Sequence, residues 1–328
     1  MARDPIRRVM DEAACRAGLD SASATLQAAV VACTHVTRLA TPRGFDLALA
    51  LHGHGWIQLP PHRWDEATGT WHTALRAGER PVDVAVVQRT ACLQVRVTCR
   101  TRLSRPELAA VRDQLRHMLR MDEDLGPFHD ACRGVPRLAW VTRRRAGVLL
   151  RSPTVFEDLV KLLFTTNCTW TQTVAMTRKL VDAAGDATPS GARCFPTVAQ
   201  CRRGAAFFRD TVRAGYRAEA LADLAEAFAN DALTECRFLD RGLDAGTLWQ
   251  RLLALRGFGP YAAGQAMRLL GHYEHLAIDS WCRARLAALQ GRSRAPADRT
   301  IARRYRGFGK WAGLAMWCEI TAGWHGEG

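Results

Sequence analysis

WQRLLALRGFGPYAAGQAMRLLGHYEHLAIDSWCRARL, residues Trp249 to Leu286, is the stretch on which the reading of the chain turns. Leu252, Leu253 and Leu255 close an apolar helix. Arg256-Gly257-Phe258-Gly259-Pro260 follows, and two glycines one residue apart permit a tight hairpin whose backbone can reach φ > 0. Pro260 suits the first turn of a second helix, where its missing N–H would be unpaired in any case. Ala262, Ala263, Ala266, Leu269 and Leu270 continue at helical spacing, and the small residues Ala262, Ala263 and Gly264 let the two helices approach closely. Such a turn leaves the first N–H groups of the second helix free to meet an anion. On these residues alone, an ordinary helical hairpin with a glycine turn is the simpler reading.

Ile278-Asp279-Ser280-Trp281 adds an acid at the start of a further helix, Trp281 to Leu289. As structure, Asp279 is a helix N-cap, a role aspartate fills well. As chemistry, it is a carboxylate kept ionised by the helix dipole and aimed back at the hairpin.

With 328 residues, nearly half of them apolar, the chain can build a large core and more than one domain. The net charge of +14 favours a polyanionic partner. All but three of the 46 basic residues are arginines, the exceptions being Lys161, Lys179 and Lys310. With abundant alanine, this points to a coding bias that accounts for part of the charge. The eleven cysteines show no CxxC and no zinc-finger spacing. They fit a reducing compartment, and the cytoplasm is the expected location. No apolar run reaches membrane-spanning length, and the start MARDPIRRVMDEAAC lacks the apolar core of a signal peptide.

The pattern divides the chain into an N-terminal segment (1–40), an antiparallel β domain (41–125) and a helical region (126–328), an α+β fold. Phe45 to Leu51 alternates as a half-buried strand would, and Trp56 to Leu59 reads as a second strand after a His52-Gly53-His54-Gly55 turn. Three more strands are expected at Trp71–Leu75, Val82–Gln88 and Leu93–Thr98. His52 and His54, on one strand face with no acid or thiol nearby, read as surface or turn residues rather than metal ligands. Ser104-Arg105-Pro106-Glu107 is a capping box that opens a helix to about Arg120, and Thr154-Val155-Phe156-Glu157 is a second. The latter helix, Phe156 to Phe164, runs into a polar Thr165-Thr166-Asn167 loop. A helix from Gln172 to Ala184 ends at Gly185 as at a C′ glycine. Ala214-Gly215-Tyr216-Arg217 precedes an alanine-rich helix, Glu219 to Phe228. Arg143-Arg144-Arg145 reads as a solvated charge run. A second Gly-x-Gly at Gly307 and Gly309 lacks a hairpin-type helix start, and Trp311 to Trp324 reads as a closing helix.

The hairpin with Asp279 beyond it resembles the helix-hairpin-helix DNA glycosylases, a superfamily defined by that motif, a Gly/Pro-rich loop and a catalytic aspartate. The β-rich start is similar to the 3-methyladenine and 8-oxoguanine branch, which carries an N-terminal antiparallel sheet. The resemblance implies a base-excision repair enzyme that hydrolyses the N-glycosidic bond of a damaged purine, alkylated or oxidised, flipped out of duplex DNA. It makes Asp279 catalytic and assigns phosphate contacts to Gly257, Phe258, Gly259, Tyr261 and Ala262, with a bound Na⁺ or K⁺ at the hairpin. It implies that Asn167 fills the gap left by the flipped nucleotide, that Tyr216 wedges into the stack and that Arg217 reads the orphaned base. As plain structure, Asn167 is a turn residue, Tyr216 half-buried core and Arg217 a surface charge. Trp170 and Trp281, with Phe258 and Tyr273, are aromatics for the base pocket. Members that also cut the strand use a lysine where this chain has Tyr261, so a monofunctional enzyme is expected. Only Cys282 and Cys318 follow Asp279, too few for the iron–sulfur loop of some members, so no iron–sulfur cluster and no required cofactor is expected. The expected form is a monomer. A non-catalytic DNA-binding module, or an enzyme of unrelated chemistry on a helical scaffold, fits the same composition.

Overall fold

The computed structural model describes residues 32–240 and 242–327; of the expected N-terminal segment (1–40), residues 1–31 lie outside them, while Cys33–Ala40 is a strand of the sheet. Five strands form one antiparallel sheet: β1 (Cys33–Ala40), β2 (Arg63–Asp65), β3 (Thr70–Ala77), β4 (Arg80–Arg89) and β5 (Cys92–Cys99), in the order β1-β5-β4-β3-β2. β3, β4 and β5 lie where the alternation places them. Val84 and Val86 pair with Val97 and Val95 of β5, Val82 pairs with Leu75 of β3, and all are buried together with Leu93. Gly78, at φ +63°, makes the tight turn between β3 and β4.

Two expected strands are helical. Leu47–His52 is a short helix, α1, with Asp46 as N-cap accepting the Leu49 N–H at 2.9 Å. Its Leu-Ala alternation mimics period 2 only because Leu and Ala are both apolar. Leu47, Leu49, Ala50 and Leu51 are all buried, and alanine favours the helix. Gly55–Gln58 is one turn of 3₁₀ helix rather than a strand. β1 takes the free place beside β5, its Thr34, Val36 and Arg38 outward and Leu39 inward.

α2 (Arg105–Met118) opens on the complete Ser104–Glu107 capping box and turns Val111, Leu115 and Met118 inward. Two shorter helices follow, α3 (Gly126–Cys132) and α4 (Ala139–Arg144). The triple arginine is less free than expected: Arg143 meets Glu327, and Arg144 meets Asp46 and the His325 carbonyl. In α5 (Val155–Thr165) Thr154 accepts the Glu157 N–H at 3.2 Å, but the box is not closed. Glu157 turns inward to Lys161 Nζ at 2.5 Å, which also donates to Ser152 Oγ at 3.0 Å. α6 (Trp170–Ala184) ends at Gly185, which is extended (φ −78°) and not left-handed. A Cβ there would stand 2.1 Å from the Cys194 carbonyl oxygen, so close approach is what demands glycine.

The helices continue as α7 (Ala218–Ala229), α8 (Ala245–Leu253), α9 (Pro260–Leu269), α10 (Ser280–Leu289), α11 (Asp298–Tyr305) and α12 (Ala312–Thr321). The expected closing helix is α12, preceded by Gly309 of the second Gly-x-Gly, which breaks the chain direction at φ +52°. Apolar side chains gather in two clusters. One joins the sheet to α5, α7, α8 and α9; the other joins α3, α4 and α10 to α12. Among the described residues no helix is long and apolar enough to cross a membrane.

Candidate active site

The hairpin forms as its sequence directs. Gly257 has φ +84°, and a Cβ on it would meet Leu163 at 2.9 Å and Ala220 at 3.2 Å, so the turn is packed against α5 and α7. Gly259 has extended φ and empty space around its Cα. The two glycines thus do different things. Gly257→Ala is expected to cost about 1–3 kcal/mol through strain and overpacking, whereas Gly259→Ala is expected to leave the thermal midpoint within about 1 °C; melting both variants checks this. Gly259 caps α9 without a side-chain hydrogen bond, and Pro260 lacks an N–H. The amides of Tyr261 and Ala262 therefore head the free N-terminus of α9. Phe258 does not face outward: its side chain is buried in the first cluster and its N–H donates to the Leu255 carbonyl at 3.0 Å.

Asp279 is the N-cap of α10, its Oδ1 accepting the Cys282 N–H at 2.7 Å. What positions it is a close contact not expected from the sequence. Gly264 of α9 leaves room for Ala277, whose Cβ would lie 2.8 Å from any Cβ at 264, and Ala277 itself is left-handed at φ +51°. The small residue at 264 thus admits the segment leading to Asp279 rather than the partner helix of the hairpin. Arg268, fully buried, donates to the Leu276 carbonyl at 3.1 Å and fixes the same segment. Arg120 donates to the Arg268 and Leu269 carbonyls and so caps the C-terminal end of α9.

Asp279 stands on the wall of a pocket of about 530 Å³ that opens where the two apolar clusters meet. Trp56, Trp170, Trp281, Trp317 and Trp324 line it with Tyr261 and His54, so its walls are rich in aromatic rings. Two of the indole N–H groups are tied outside the cavity, Trp56 Nε1 donating to Asp158 at 2.6 Å and Trp317 Nε1 to the Gly53 carbonyl at 2.8 Å. Trp170 Nε1 donates to Gln58 on the pocket wall, and Trp324 Nε1 has no partner among the described residues. Gly55 lets Trp170 lie against the chain, since a Cβ there would meet the indole at 2.7 Å. Burial, with Asp279 beside it, pushes the Tyr261 phenol above its ordinary pKa. Burial and the charges of Arg268, Arg120 and Lys161 hold His54 well below the usual imidazole range, so it is neutral at pH 7.

Trp170 and Trp281 are thus brought to the pocket with Asp279 and Tyr261, while Phe258 and Tyr273 are not. Tyr273 is buried elsewhere, donating its hydroxyl to Glu123 at 2.6 Å. His54 lies in the turn between α1 and the 3₁₀ helix as expected, but it is not a surface residue: it is 4 % exposed and packs between Trp56 and Trp317. Asn167, Tyr216 and Arg217 form a second group, where the Gly215–Arg217 turn meets the loop from Thr165 to Trp170; Thr165, Cys168 and Thr169 of that loop line the pocket, and the three residues themselves do not. Asn167, left-handed at φ +45°, donates its Nδ2 to the Tyr216 hydroxyl at 3.3 Å. Tyr216 is 63 % exposed, not half-buried. Arg217 is not a free surface cation. It is buried, donates to the Thr166 carbonyl and hydroxyl and to the Ala214 carbonyl, and packs 4.5 Å from the centre of the Tyr216 ring. In this structure its guanidinium is occupied in shaping the loop.

No family model matches the chain, and no curated protein resembles it in sequence. Solved structures do. A 3-methyladenine DNA glycosylase from Archaeoglobus fulgidus superposes with a TM-score of 0.69 at 19% identity, over 87% of this chain and 97% of that one. An 8-oxoguanine glycosylase/lyase from Clostridium acetobutylicum gives 0.66 at 19% identity, over 87% and 95%. MBOgg1 in complex with a low-affinity DNA ligand gives 0.67 at 17% identity, over 93% and 99%. At these identities the shared property is the fold.

Proposed function

We propose that the protein is a DNA N-glycosylase that hydrolyses the bond between deoxyribose and a damaged purine, alkylated or oxidised, extruded from duplex DNA. The observation that carries this is the sharing of one aromatic pocket by two groups: the Asp279 carboxylate and Tyr261, on the first turn of the hairpin's second helix. A strand whose phosphate is held at the free amides of Tyr261 and Ala262 would then have its neighbouring sugar close to Asp279. The base would enter among the tryptophans, where stacking offsets the roughly few kcal/mol needed to leave the duplex. Asn167 and Tyr216, beside the loop whose Thr165 and Cys168 line the pocket, would occupy the space it vacates.

As the base departs, positive charge develops on the sugar, as in glycoside cleavage. An ionised Asp279, held by the Cys282 N–H and the start of α10, stabilises that charge and orients water onto the carbon. The chemistry as written uses a carboxylate and water, with no cofactor. The net charge of +14 is of the sign that duplex binding requires. The test is release of free base from a panel of duplexes carrying single alkylated or oxidised purines; no release from any of them would end the proposal.

The reaction is proposed to stop at hydrolysis. Strand cleavage through a Schiff base needs a free amine at the sugar. Tyr261 occupies the corresponding first turn of α9, and Lys161 is fully buried against Glu157. Borohydride added during turnover is expected to trap no protein–DNA adduct; a covalent band on a denaturing gel would refute this.

A further inference from the structure

One polar side chain in the pocket is given a fixed direction by a residue behind it. Gln265, on α9, lines the cavity and is 4 % exposed. Its Oε1 accepts from Arg268 Nη1 at 2.9 Å. A guanidinium carries donors and no acceptor, so only the oxygen of the amide can face it, and the assignment of oxygen and nitrogen is settled by that partner. Arg268 is itself held: Nη2 donates to the Leu276 carbonyl at 3.1 Å, and the guanidinium stands 4.6 Å from the centre of the Trp317 ring. It has no carboxylate partner among the described residues, and its Nε is unpaired. The Gln265 amide therefore cannot turn over without facing nitrogen to guanidinium. Its NH₂ must point away from Arg268, and no acceptor takes it among the described residues.

A donor fixed in this way within aromatic walls discriminates. A ligand that brings an acceptor to it gains a hydrogen bond in a dry site. One that brings a C–H or a methyl group leaves the donor desolvated and unpaired, which is the costlier outcome. We infer that Gln265 is a specificity-determining residue, whose amide NH₂ donates to a ring nitrogen or carbonyl oxygen on the edge of the extruded base, and that Arg268 is the positioning residue that sets its direction. The inference rests on the proposed glycosylase reading for the nature of the ligand. It adds that a purine altered at the read edge, where the lone pair is protonated or alkylated, is disfavoured.

Adenine and its 1-, 3- and 7-deaza analogues, each lacking one ring acceptor, serve as probes, and the tryptophans of the pocket report their binding by fluorescence. For the wild-type chain one of the three analogues is expected to bind at least about tenfold more weakly than adenine. In Gln265→Glu, which pairs with Arg268 but presents an oxygen to the cavity, that preference is expected to vanish or reverse. In Arg268→Met, with the amide free to turn, it is expected to shrink. Melting of each variant separates loss of fold from loss of recognition. Four purines bound alike by the wild type, binding of none of them, or a preference that persists in Gln265→Glu, would each overturn the inference. Base release from lesion duplexes by the same preparations is scored separately. Release without the deaza preference leaves the glycosylase reading standing and removes this one. The preference without release leaves a purine site and removes the other.

Discussion

Asp279→Asn is expected to abolish base release, with the single-turnover rate falling on the order of 10³-fold or more, while affinity for lesion duplex changes little. The substitution suits the test because Asp279 is also a structural residue. Its Oδ1 accepts the Cys282 N–H at 2.7 Å, and asparagine caps helices as well as aspartate does. The amide oxygen can keep that bond, so α10 and the pocket wall stay in place. What is lost is the negative charge facing the sugar, the one property the proposed chemistry requires. The thermal midpoint is expected to stay within about 3 °C of the wild type. Base release by the variant at near the wild-type rate would remove Asp279 from the reaction.

Lys161→Met is expected to destabilise the fold by about 3–5 kcal/mol, with a fall in the thermal midpoint of roughly 10 °C. Lys161 is fully buried and meets Glu157, itself nearly inaccessible, at 2.5 Å. Removing the cation leaves the carboxylate in the interior without a counter-charge. Glu157 already has its pKa raised by burial, against the pull of Lys161; without Lys161 it rises further. A carboxyl whose folded-state pKa lies above its unfolded value stabilises the fold below the unfolded value, near 4.3. It loses that contribution as pH climbs to the folded-state value. The deficit of Lys161→Met should therefore be smaller at pH 5 than at pH 8. Glu157→Leu with Lys161→Met should recover most of the loss, since apolar replacement of a whole buried pair is often neutral. Denaturant unfolding of the wild type, both single variants and the double variant at the two pH values checks this; additive losses would refute the coupling.

The parts of this molecule that could be read in advance are those fixed by neighbours in sequence. β4 and β5 alternate, and β3 does so except where Thr73, Ala74 and Leu75 are buried in succession, and the two glycines and proline of the hairpin determine local backbone geometry. Asp279 announced itself as a cap. α1 was obscured because Leu-Ala alternation satisfies both periods, and tertiary burial of Leu47, Leu49 and Leu51 decided for the helix. β1 was hidden although Thr34, Val36 and Thr37 are good strand formers, because its place depends on β5, some sixty residues on. The pocket was the least legible. Its walls come from residues 54–58, 162–173, 261–265, 279–282 and 317–324, and nothing local to His54 or Trp317 shows that they meet. Gln265 and Arg268 look in sequence like the polar face of α9, yet they lie beneath the cavity, because α9 is covered on that side by the segment through Ala277.

The contact of Gly257 with Leu163 and Ala220 bolts the hairpin to α5, and α5 leads directly into the Thr166–Asn167 loop that Arg217 braces. Grip and wedge are thereby machined into one jig of set span. On the proposed function, any mismatch between that span and straight B-form DNA must be absorbed by the nucleic acid, at about 1–6 kcal/mol for a bend of ordinary size. Damage that softens the duplex would lower this toll before the base is ever inspected. Flexibility of the surrounding sequence should then modulate turnover even where the protein touches no neighbouring base.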